Sequence, residues 1–157
     1  MHDANEIILF SALGVAFAAG LIVLARWAHK KVFHFAAYAL LAVSFLYVGF
    51  AMRSDAPGTW TGIELTGVAI YGSLAGLSFV ASPWFAVAGL LLHPFWAISF
   101  HYLGTGAAFT AAPFALANAG FDVALGLWAA FEIWKSDAGE KTKPDAGAPK
   151  LKKGRAQ

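Results

Sequence analysis

Cysteine is missing from the 157 residues, which excludes disulfides, thiolate metal ligands and thiol nucleophiles. Charge is scarce as well. Asp, Glu, Lys and Arg make up 13% of the chain, where a soluble domain carries about a quarter. There is no G-x-S-x-G elbow, no H-E-x-x-H, no phosphate-binding loop and no dinucleotide fingerprint, so the commonest hydrolase and nucleotide signatures are absent. Nor is there an internal repeat or a division into equal inverted halves. The opening segment has Asp3 and Glu6 where a signal peptide would be basic, so the first apolar run is expected to be retained.

What fills the chain is apolar bulk: 59% hydrophobic residues, with fourteen Phe and six Trp. The mean hydropathy is +0.64. Five runs are long enough to cross a bilayer as helices: about 7–25, 32–52, 60–80, 84–103 and 114–134. The fold class read from them is all-α, a five-helix transmembrane bundle. Ser11, Gly14 and Ala18 give the first run a smooth face, and Gly72 and Gly76 form a small-xxx-small motif on the third. Trp27, Trp60, Trp84 and Trp134 stand at run ends, as an interfacial belt does, while Trp96 lies in mid-run. Pro57-Gly58 and the glycine-rich stretch from Gly104 to Pro113 read as connections, the latter as a partly re-entrant loop. From Lys135 onward the composition turns to Lys, Asp, Gly, Ala and Pro, a disordered tail by that criterion.

The pI is near 9.0, yet seven of the eleven basic residues follow Trp134. That distribution fits membrane topology and gives no ground for a nucleic-acid partner. With the N-terminus outside, Arg26, Lys30, Lys31 and the tail lie inside and only Arg53 outside. The localisation read from this is multi-pass in a bacterial inner membrane, N-terminus out and C-terminus in. The lipid bilayer is the expected partner, with a homo-oligomer or larger membrane complex around it.

Polar residues inside apolar spans are costly and usually face a bundle interior. The fourth span holds His93 and His101, eight residues apart. A regular helix sets them about 80° and about 12 Å from one another. Pro94 leaves the Leu90 carbonyl without its helical partner beside His93, free to take an imidazole N–H or a water. Helix rise places Glu64, His101 and Tyr47 in an outer tier within about 8 Å of one boundary. His93, Tyr71, Asn118 and Asp122 fall in a second tier about 12–18 Å deep. Glu64, Tyr71 and Ser78 recur every seven residues and share a face. Asn118 and Asp122 are one turn apart.

These six residues, His93, Asp122, Glu64, His101, Tyr71 and Asn118, are the candidates for binding protons or cations. Asp122 is expected to hold the His93 imidazole, and Glu64 that of His101, stepping inward from a site open to the outer side. His93, His101, Glu64 and Asp122 also have the chemistry of a divalent-metal ligand set. A bis-histidine haem is not expected, since His93 has no histidine at its own depth. The hydroxyls of Ser44, Ser78, Tyr38 and Tyr47 read as structural, satisfying helix backbones. His29 and His34 belong to the basic rim, and Glu132 is expected to be solvated or paired with Lys135.

The pattern of Gly89, His93, Trp96 and His101 with Asn118 and Asp122 resembles small bacterial polytopic integral-membrane families of unknown function, over about half the chain, residues 60–134. That resemblance carries no activity. Membrane zinc hydrolases of the ceramidase type are similar in placing His and Asp within spans, but their third histidine and paired serine have no counterpart here. Three functions follow from these residues. The first is proton or cation transport. The second is a metal-dependent hydrolase or oxidoreductase acting on a lipid-like substrate. The third is a structural subunit in which the polar residues only register the helices.

Overall fold

The computed structural model describes residues 3–27 and 32–141. His2, His29, Lys30, Lys31 and the tail beyond 141 lie outside the described residues. The described residues are helical apart from short connections, with no strand among them. Helices α1 (Ala4–Trp27), α2 (Val32–Ala51), α3 (Pro57–Val80) and α5 (Ala112–Lys141) are α-helical. Helix α4 (Trp84–Trp96) passes directly into a π-helical turn, Ala97–Tyr102, and a 3₁₀ turn at Thr105–Ala108 precedes α5. Five helical stretches are long and apolar enough to span a membrane.

Three boundaries differ from the sequence reading. Pro57 opens α3 rather than stopping it, because a proline at the first helical position gives up an N–H that has no partner there. Helix α5 continues through Lys141, past the expected boundary at Trp134. Extending a helix that is already formed fixes one residue for each bond gained. The fourth span is not one regular helix but α followed by π.

The bundle is inverted relative to a soluble fold. Phe17 and Phe95, at 65% and 69% exposure, face outward, while Asp122 and His101 are fully enclosed at 0%. Large apolar side chains point outward and the polar ones meet each other within, the arrangement expected of a bundle surrounded by lipid.

Helix α5 is the hub, packing on α1, α2 and α4, while α3 packs on α2 and α4. Helix α1 lies against α5, and glycine makes that approach close. A Cβ on Gly14 would run into the Ala117 carbonyl and stand 2.8 Å from the Phe121 nitrogen. A Cβ on Gly120 would run into the Ser11 carbonyl. The smooth face read on α1 is therefore the one that packs, with Gly14 and Ala18 buried. The Gly72/Gly76 motif is not a close helix contact. Gly72 meets only a Leu41 methyl at 3.5 Å, and nothing lies within 4 Å of a Cβ on Gly76.

At the other end of the α1–α5 pair, Arg26 Nη2 donates to Glu132 Oε1 at 2.5 Å. Glu132 thus pairs across the bundle with Arg26, not along its own helix with Lys135. Ser44 and Ser78 donate to the Leu40 and Ala75 carbonyls, at 2.8 and 2.6 Å. These two keep the structural role expected of them. Tyr38 is largely exposed and leans on Phe79, which also stacks with His34.

Candidate functional site

Two histidine–carboxylate pairs occupy the core. In the deeper pair His93 Nδ1 and Asp122 Oδ2 are 2.7 Å apart, and both side chains are buried. Asn118 Nδ2 donates to the same carboxylate oxygen at 2.9 Å. One turn of α5 thus supplies both the carboxylate and the amide that orients it. Tyr71 meets His93 edge-on, with ring centroids 4.6 Å apart, and so fixes the imidazole plane from α3. The expected juxtaposition of His93, Asp122, Tyr71 and Asn118 is present. His93 Nδ1 turns to Asp122, not to the Leu90 carbonyl.

The second pair lies nearer the 103–111 connection. His101 Nε2 and Glu64 Oε2 are 3.4 Å apart, long for a charge-assisted hydrogen bond, and both side chains are enclosed. His101 Nδ1 is 2.9 Å from Thr110 Oγ1. Glu64 Oε1, His101 Nε2 and Asp122 Oδ1 make no hydrogen bond within the chain. Buried polar atoms left without partners are uncommon and mark this core as unusual.

The π turn explains how His101 reaches Glu64. An i→i+5 turn is wider than an α turn and advances less than 100° per residue. The offset of about 80° between His93 and His101 in a regular helix shrinks accordingly. Both imidazoles come to face one ring, that of Tyr47 on α2. Tyr47 stacks on His101 with centroids 3.9 Å apart and planes 16° apart, and lies 5.7 Å from His93. Its hydroxyl is buried and unpaired. Tyr47 is therefore not a backbone-satisfying hydroxyl, the role the sequence pattern suggested. The signal available in the sequence was its depth, which matched that of Glu64 and His101. Thr110, in a connection with no helical register, gave no such signal.

The core is closed in this structure, contrary to the expected opening on the outer side. The 104–110 segment folds over His101, with Thr110 bonded to the ring and Gly106 packed beneath it. A Cβ on Gly106 would stand 2.7 Å from His101 Nδ1. A small, partly open space of about 140 Å³ is bounded by Tyr47, Glu64, Tyr71, His93 and Trp96. Tyr71 and Trp96 also wall an outer apolar groove of about 570 Å³, lined by Ile70, Leu74, Leu92 and Phe95. Trp96 owes its seat there to Gly67, whose Cβ position lies 3.4 Å from the indole.

The four side chains expected as one metal set, His93, His101, Glu64 and Asp122, come together as two separate pairs. Among the described residues no three His, Asp or Glu side chains converge as a ligand set. The physical reason is depth: the histidines are two turns apart on one span, and each takes its carboxylate from a different helix.

Five apolar spans around a polar core are the build of a multi-pass membrane protein. Compared with protein-family models, curated proteins and solved structures, the chain matches none.

Proposed function

We propose that the chain is an inner-membrane protein that handles protons, or small cations in their place, through its stacked histidine–carboxylate pairs. The observation that carries this reading is the enclosure of two imidazoles and two carboxylates, in facing pairs, within an otherwise apolar bundle. Helix registration alone needs one neutral hydrogen bond, worth about 0.6 kcal/mol on average within a membrane. Burying two ionisable pairs costs far more than such a bond returns. Imidazole changes protonation near neutral pH, and a carboxylate partner fixes its tautomer and basicity.

In this reading the Glu64/His101 pair lies toward the outside, with the N-terminus out and the basic residues in, following the lysine and arginine asymmetry. The closed structure is then one state of the protein, and movement of the 104–110 segment admits the ion. The protein acts alone or as a homo-oligomer, and the resemblance to small bacterial membrane families belongs to the same proposal. The test is flux in proteoliposomes under an imposed proton or cation gradient, wild type against Asp122→Asn. Flux in the wild type that falls at least tenfold in the variant supports the reading. Equal flux in both, or none in the wild type, sinks it.

A further inference from the structure

The two pairs are separate, and any proton passing between them needs a group that faces both. Ser44 is committed to the Leu40 carbonyl, and Thr110 approaches His101 by Nδ1, the nitrogen opposite the one facing Glu64. Tyr71 abuts His93. The space lined by Tyr47, Glu64 and His93 is small, about 140 Å³ in all. Tyr47 is left. Its ring lies against both imidazoles, it lines the same space as Glu64 and His93, and its hydroxyl is buried without a partner.

We propose that Tyr47 is the proton bridge between the Glu64/His101 pair and the His93/Asp122 pair. The inference rests on the proton-handling reading of the site. The hydroxyl bonds to neither pair in this conformation, so a movement that brings the phenolic oxygen within reach of both comes first. One pair then delivers a proton to that oxygen as the phenolic proton leaves for the other pair. One O–H bond forms and one breaks, the tyrosine is unchanged, and one proton has moved between pairs. A hydroxyl is suited to this because it donates and accepts at the same atom.

The titratable groups facing Tyr47 are Glu64 and Tyr71 from α3, His93 from α4, His101 from the π turn and Asp122 from α5. Asn118 lies beside the hydroxyl without a well-aligned hydrogen bond to it. Helix α1 carries charge only near its ends, at Glu6 and Arg26, with Asp3 just before it.

The experiment uses the full chain in lipid nanodiscs with ¹⁵N-labelled histidine, assigning signals through His93→Gln and His101→Gln. The quantity read is how far Asp122→Asn moves the His101 titration midpoint, with and without Tyr47→Phe. That substitution keeps the ring and its stacking and removes only the hydroxyl. The expected movement is about half a pH unit or more with Tyr47 present, and under half of that with Tyr47→Phe. In proteoliposomes Tyr47→Phe is expected to lower proton flux at least tenfold.

A movement of the same size in both backgrounds overturns the bridge, and so does flux that survives Tyr47→Phe. If the wild type carries no flux but the coupling still depends on Tyr47, the transport reading falls and the bridge between the pairs stands. Should Tyr47→Phe fail to assemble, 3-fluorotyrosine at position 47 changes the hydroxyl's acidity and keeps its packing. Histidine titrations unchanged by that replacement likewise overturn the proposal.

Discussion

The His93–Asp122 pair is the place to ask whether the polar core is more than a helix register, because the two readings differ in energy. At a separation of about 3 Å and an effective dielectric near 20, opposite unit charges attract by roughly 5–6 kcal/mol. Removing both from water cancels most of that. Ordinary hydrogen bonds between membrane helices couple by about 0.6 kcal/mol, and the strongest by about 1.7. Here the contact is short, at 2.7 Å, and Asn118 holds the same carboxylate oxygen at 2.9 Å. Both side chains are almost fully enclosed, at 1% and 0% exposure, so no solvent competes.

The expected coupling is therefore about 2 kcal/mol, at or above the top of the membrane range. Asp122→Ala alone should destabilise by about 3 kcal/mol or more, since it leaves an imidazole and an amide buried without their acceptor. The assay is a double-mutant cycle of Asp122→Asn, His93→Gln and the double variant, by reversible unfolding in bicelles. A coupling at or below about 0.6 kcal/mol would refute the reasoning. The pair would then be an ordinary interhelical bond, and the structural-subunit reading would replace transport.

Gly14→Val or Gly120→Val should destabilise by about 2–3 kcal/mol and separate α1 from α5, because the obstacle is backbone and cannot turn aside. Gly20→Val, with nothing within 4 Å, should change little in the same unfolding assay. Thr110→Val keeps the shape of the side chain but removes the 2.9 Å contact to His101 Nδ1, at a cost of about 1 kcal/mol, and NMR should show the ring tautomer redistributed. Arg26→Ala should cost under about 1 kcal/mol, and this difference should fade in high salt, since the arginine is 62% exposed.

Much of the core was legible from helix rise alone, because depth along a span is nearly fixed by residue count. That arithmetic alone pairs His93 with Asp122 and His101 with Glu64. Rotation about the axis is less well constrained. The π turn altered the phase of His101, and nothing in Ala97–Tyr102 announces a wider turn except Pro94 just upstream. Hidden partners came from the same source. Thr110 lies in a connection where neither depth nor phase can be counted. Tyr47 had the right depth, but its role as the ring between two imidazoles depends on how α2 is turned. Close packing was legible only in part: small residues marked α1 and α3 alike, yet only α1 meets backbone.

The contact between α1 and α5 bears on how the protein is made. Arg26 and Glu132 are 106 positions apart in sequence, and Gly14 finds its backbone neighbours more than a hundred residues downstream. The described face of α1 that packs therefore has nothing to pack on until α5 has been synthesised and inserted. His93 waits in the same way, for a carboxylate 29 residues later. A ribosome stalled between α4 and α5 would leave an imidazole and a bare glycine face in the bilayer together. Both are covered in the single step of docking α5.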